Sequence, residues 1–279
     1  MLIVFLSKLL VVFLMLSFSF ELKPRDIFTI FDKTHLLVRS ILLNFLIIPT
    51  ITLLIMQGFM LPQNTIYTLL LVSIAPGAPL APKLATLAGG DLALAIGLTF
   101  VLSSLAIVIA PSMVFFLYST AQENIFVEVL PIVIDLILLQ LLPLTFGLFF
   151  NHCYTELATK FAPIIKIASD FLFLVLLLVV LSNSFNVVFD IKHSSLAAIF
   201  LFNSLTLIGG WLIAGTSVRD RKTLAVTTNS RNLALVLVIA VSSFPNTSIE
   251  AYILVFGVIE LIFTLLAVLY FRYTFKPKH

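Results

Sequence analysis

Residues 76–91 read P-G-A-P-L-A-P-K-L-A-T-L-A-G-G-D, three prolines and a lysine set between two long apolar runs. The flanking runs place this stretch at membrane depth. Each of Pro76, Pro79 and Pro82 removes a backbone donor and clashes with the preceding helical turn. The residues before them, Ala75, Ala78 and Ala81, are pushed towards extended geometry. Irregular backbone survives in a bilayer only where it is buried in protein or lines a wet cavity. A broken helix holding a buried cation, here Lys83, is how secondary transporters frame a midplane site.

Composition agrees with a bilayer. Of 279 residues, 61% are hydrophobic and 10% charged, and the mean hydropathy is +1.20. A soluble domain of this size cannot hide that much apolar surface, so the expected class is an all-α polytopic membrane protein. The single cysteine, Cys153, excludes an internal disulfide and any multi-cysteine metal site. His35, His152, His193 and His279 show no metal-ligand spacing, so no metal site is expected. The chain has no phosphate-loop motif, which argues against ATP-driven work within it. No cofactor is expected, and the basic loop residues are explained by topology without nucleic-acid contact.

About nine spans follow in order. Met1–Phe20 lacks the basic start and small-residue cleavage site of a signal peptide and reads as the first. A polar loop over Glu21–Arg39 precedes the second, Ser40–Met60, and the third starts near Ile66 and enters the broken stretch. Asp91 is placed to cap the fourth, Leu92–Tyr118. The fifth is Phe126–Phe150, then a loop over Asn151–Ala162, the sixth at Pro163–Asn183 and the seventh at Leu196–Thr216. A charged loop, Arg219–Lys222, leads to the eighth, Thr223–Phe244, interrupted by T-T-N-S-R-N, and the ninth is Glu250–Phe275. Lysine and arginine concentrate in the loops after the first, fifth and seventh spans and in the tail with Arg272, Lys276 and Lys278. The C-terminus is therefore expected in the cytoplasm and the N-terminus outside. The short-looped, phenylalanine-rich chain suits a bacterial inner membrane.

The halves echo one another. Phe31-Asp32-Lys33-Thr34-His35 recurs as Phe189-Asp190-Ile191-Lys192-His193, each before a span with a central asparagine, Asn44 or Asn203. Each of those spans leads to a polar-interrupted helix, Pro76–Lys83 or Thr227–Asn232, followed by an acid, Asp91 or Glu250, that opens a long span. The copies fall on opposite sides of the membrane, so the chain reads as one transmembrane domain, 1–279, with inverted units of about 1–118 and 126–275.

L-K-P-R-D at 22–26, P-G-A-P-L-A-P-K-L-A-T-L-A-G-G-D-L-A-L at 76–94 and T-N-S-R-N-L-A-L at 228–235 together resemble the bile acid:sodium symporter family. The resemblance implies two crossing broken helices in a core domain that moves against a flatter panel domain, with nine helices rather than ten. It implies sodium sites whose ligands are largely missing here. Ala81-Pro82 stands where the family places Ser-Asn, Ala225 where it places glutamate, and Asn229 and Asn44 where it places glutamines, while Thr99 matches a threonine ligand. Sodium is thus a doubtful partner, and Lys83 and Arg231, one on each crossing helix, are expected to take its electrostatic role. A buried lysine can shed its proton and an arginine cannot, so Lys83 is the expected proton carrier. Arg231 is expected to hold the core together or face an anionic solute, with Glu260 as counter-ion and Asp135 or Asp170 as alternatives.

The candidate site is Asn44, Pro76, Gly77, Lys83, Thr99, Asn229, Ser230, Arg231, Asn232 and Glu260. Plainer readings stand beside it: Lys83 and Arg231 in a structural ion-pair lattice, Asn44 and Asn203 as interhelical glue, and Pro49, Pro111 and Pro143 as kinks. The function classes are a secondary transporter of an organic anion or amphipathic solute and a non-transporting sensor or assembly protein on the same fold. An embedded enzyme has no clustered Ser/His, paired acids or metal motif in its favour. In bacterial cells, a C-terminal fluorescent-protein fusion is expected to glow and a C-terminal alkaline phosphatase fusion to be inactive. The reverse pattern overturns the orientation.

Overall fold

The prolines of the opening stretch break one helix into two, and a second break answers it in the other half. The computed structural model describes residues 2–22, 28–120, 129–189, 191–244 and 249–275. Lys23 to Asp26 of the L-K-P-R-D motif, Asp190 of the repeated motif, the Phe126 start of the fifth span, and Lys276 and Lys278 lie outside the described residues.

Helix α1 is Leu2–Glu21 and α2 is Thr29–Gly58, which opens on a 3₁₀ turn, Thr29–Lys33. The first broken pair is α3, Gln63–Ser73, and α4, Ala81–Leu87. Then come α5, Leu92–Thr120; α6, built of Val129–Leu136, Ile137–Leu141 and Leu142–Cys153; α7, Thr155–Phe189; and α8, His193–Ile213. The second broken pair is α9, Val218–Asn229, and α10, Leu233–Ser243, and α11, Ile249–Thr274, ends the fold. Among the described residues, six helices (α1, α2, α5, α6, α8 and α11) contain a stretch long and apolar enough to cross a membrane. The protein is an integral membrane protein.

Several boundaries differ from the sequence reading. The Glu21–Arg39 loop is helical from Thr29, the Asn151–Ala162 loop is helical except at Tyr154, and the charged Arg219–Lys222 segment lies in the first turn of α9. Hydropathy marks where a helix leaves the apolar layer, whereas the helix itself continues while its backbone bonds are made. At α9 the Ser217 hydroxyl accepts the Asp220 N–H at 3.3 Å, and at α5 the Asp91 carboxylate accepts the Leu94 N–H at 3.1 Å. Ala81 is helical rather than extended, because Pro82 sits in the first turn of α4, where its missing N–H costs nothing. Pro49 and Pro143 each lie two residues past a π-helical turn, Leu43–Ile47 and Ile137–Leu141. The wider turn makes room for a proline ring that has no donor to offer.

Helices α1, α6 and α7 pack together as one layer, and α8, α9 and α11 pack with α2 and both broken pairs as another. Between lipid-soluble helices, close van der Waals contact and polar pairing replace the hydrophobic drive. Gly147 of α6 illustrates the first, since a Cβ there would overlap the Ser19 side chain of α1. Lys8 of α1 illustrates the second, meeting both Asp135 oxygens of α6 at 2.9 Å. Asp135 is therefore spoken for inside its own layer, and the idea that it balances Arg231 is corrected.

Gly77 sets the first break. Its φ is +86°, and a Cβ would lie 2.6 Å from the Ser103 nitrogen and 2.9 Å from the Thr99 carbonyl oxygen of α5. Gly77→Ala is expected to lower the melting temperature by several degrees, about 1–3 kcal/mol from backbone strain before the clash is counted. Gly58→Ala, with nothing within 4 Å, is the control expected to melt like wild type. Equal melting of both variants would show that the break does not need glycine.

Candidate functional site

Where the two broken helices cross, backbone meets backbone. Pro76 and Arg231 form an isolated antiparallel bridge, and the Asn232 N–H donates to the Ala75 carbonyl at 2.8 Å. The peptide groups freed at both breaks thus satisfy one another at a depth where water is scarce. The Asn232 side chain then accepts the Leu235 N–H at 3.1 Å and caps α10.

Arg231 enters the protein at this point. It is 1% exposed, and its Nη1 donates to Asn44 Oδ1 at 3.1 Å while the guanidinium lies 5.5 Å from the centre of the Phe202 ring. Among the described residues, Nε and Nη2 have no hydrogen-bond partner and no carboxylate lies within 4.0 Å of the group. Asn44 is held by its own amide, which donates to the Ser40 carbonyl at 2.9 Å. The side chain therefore points into the layer that contains α2 and α8, away from α1 and α7.

Glu260 of α11 does not act as the ion-pair partner expected of it. Its Oε1 accepts the Arg231 backbone N–H at 2.7 Å, and its Oε2 is buried without a hydrogen bond. Asn229 is fully engaged: Thr206 donates to its Oδ1 at 2.7 Å, and its Nδ2 donates to the Thr264 hydroxyl at 2.7 Å. Thr264 in turn donates to the Glu260 carbonyl at 2.8 Å. Thr99 and Ser230 are buried with unpartnered hydroxyls. The crossing thus gathers Asn44, Pro76, Gly77, Thr99, Asn229, Ser230, Arg231, Asn232 and Glu260.

Lys83 is not among them. It was expected to be a buried cation, and it is exposed on α4, facing the layer of α1 and α7. Pro82 and Ala81 fill the buried side of that turn, which turns the lysine outward. Lys83 lines a cleft of about 430 Å³ with Phe18, Glu21, Pro79 and Lys166. A neighbouring cavity of about 250 Å³ shares Pro79 and is bordered by Ser230, Arg231, Asn232 and Glu260 on one side and Leu14, Asp170 and Phe173 on the other. Asp170, the remaining expected counter-ion, faces this cavity and makes no ion pair within 4.0 Å among the described residues.

The sequence reading missed Thr206 and Thr264, which complete the Asn229 network, and Lys166. Thr264 was findable one turn after Glu260, and Lys166 as a cation inside an apolar span. Phe202 carried no signal, being one of 27 phenylalanines.

A model of the sodium bile acid symporter family matches residues 8–191, about two thirds of the chain. No curated protein matches the chain at a significant level. Glu260→Gln keeps an acceptor for the Arg231 N–H, whereas Glu260→Leu leaves that buried donor unpaired at a cost of about 1–3 kcal/mol. The glutamine variant is expected to melt near wild type and the leucine variant several degrees lower. Equal melting would remove Glu260 from the crossing.

Proposed function

The chain belongs to the sodium bile acid symporter family, and on that premise we propose a secondary active transporter that moves an organic anion or small amphipathic solute by alternating access, without sodium. The observation that carries the reading is Arg231. A permanent guanidinium, buried at the crossing with Asn44 as its one side-chain hydrogen-bond partner among the described residues, supplies there the positive charge that a bound sodium ion would bring. Ala81, Pro82 and Ala225 are buried alongside and offer no side-chain oxygen. Fixed charge of this kind cannot leave with the solute, so it supports the fold without driving net movement.

Proton coupling is the form of sodium independence we favour. Lys83 was the expected carrier because burial would strip its proton, and its exposure removes that reason. Glu260 replaces it, since this buried carboxylate borders the cavity with Oε2 unengaged. The cavity lies between the α1–α6–α7 layer and the crossing, so sliding one layer against the other would open it to alternate sides. We read these layers as panel and core, the broken pairs as matching elements of inverted units, and the whole as nine crossings with the C-terminus in the cytoplasm of a bacterium.

Proteoliposome uptake of a panel of organic anions tests the reading. Uptake is expected to be unchanged when potassium replaces sodium and to respond to an imposed pH gradient. Arg231→Ala is expected to cut uptake at least tenfold, with partial return in Arg231→Lys. A strict sodium requirement at fixed pH would sink sodium independence. Binding of an anion without uptake would favour a sensor on the same fold.

A further inference from the structure

The cleft beside the cavity holds two lysines that no ion pair explains. Lys83 rises from α4, in the layer of the crossing helices, and Lys166 from α7, in the opposing layer. Both side chains line that cleft and are close enough for each charge to act on the other. Glu21 and Asp170 are near enough to act on both through space. Among the described residues, however, no carboxylate approaches either lysine within 4.0 Å. Two ammonium groups each able to donate three hydrogen bonds repel when nothing lies between them, and they become favourable partners when one oxyanion accepts from both.

We propose that Lys83 and Lys166 form a split binding site for the acidic group of the transported solute, one lysine contributed by each layer. The inference rests on the transport reading above and names what that site recognises. Arg231 is unavailable for the task, since its side chain turns away towards Asn44 and Phe202. The cavity next door supplies the other half of the solute's chemistry. Its walls include Leu14, Leu80, Leu84, Phe173, Leu233 and Leu261, and it meets the lysine cleft at Pro79. A carboxylate or sulfonate would sit between the lysines while an apolar tail occupied the neighbouring cavity of about 250 Å³.

The split has a mechanical consequence. An anion held by both lysines draws the two layers together, and an empty cleft has like charges pushing them apart. Occupancy and layer spacing become linked through one pair of side chains, by differential contact of the solute with the two arrangements.

The test uses the full chain in nanodiscs, with hexanoate, hexanesulfonate and the neutral hexanol as probes. Wild type is expected to bind either anion at least tenfold more tightly than hexanol. Lys83→Gln and Lys166→Gln are each expected to reduce that ratio several-fold and together to bring it near one, with Lys83→Arg keeping most of it. Unliganded Lys83→Gln is expected to melt at or above wild type, because repulsion is relieved. That outcome separates loss of a binding group from loss of structure. A ratio that survives both glutamine substitutions, with uptake intact, overturns the lysine site and leaves the transport reading standing. Absence of any anion preference in wild type, with no anion uptake, overturns both.

Discussion

Two helices that break inside a bilayer must find partners for the peptide groups they release, and here they find each other. The antiparallel bridge between Pro76 and Arg231 and the bond from the Asn232 N–H to the Ala75 carbonyl do for the two breaks what a helix does for itself. Much else follows from that contact. Gly77 must have no side chain so that the first break can press against α5. Asn232 must cap α10, and Glu260 must receive the one N–H, that of Arg231, which the bridge leaves facing α11. Asn229, Thr206 and Thr264 then tie the end of α9 to α8 and α11, so the crossing is braced by the helices around it.

The distal ends of the broken pairs are joined by charge as well as by backbone. Asp91 caps α5, receives Arg219 at 3.7 Å, and through its N–H donates to Thr223 of α9 at 2.7 Å. Lys33, at the start of α2, reaches Asp220 at 2.7 Å. Pairs as exposed as Arg219 contribute little stability individually. Their effect here is registration, since they bind the start of α5 and the foot of α2 to the same turn of α9. On the other layer, Lys8 and Asp135 perform a comparable service between α1 and α6.

Two groups of cations stand apart from these ion pairs. Arg231 is a cation closed inside the crossing, and Lys83 with Lys166 is a like-charged pair shared across the cleft. These differ in kind. A guanidinium that never loses its proton suits a place where a mobile cation would otherwise be required, whereas ammonium groups at a cleft suit an anion that comes and goes.

The residue pattern alone determined the membrane class and the existence of two broken helices, because hydropathy, proline and interrupted periodicity are local properties of a chain. Gly77, Asn229, Arg231 and Glu260 stood out in the sequence for the same reason: polar or flexible groups at apolar depth need partners there. Their partners were not legible. Whether Arg231 meets a carboxylate or an asparagine, and whether Lys83 faces inward with it or outward with Lys166, depends on the rotation of one short helix. In α4 that rotation is decided by Ala81 and Pro82 packing inward, and one residue's step around a helix turns a side chain by about 100°. Only the tertiary arrangement settles such a step, because the energy that selects it comes from neighbours distant in the chain.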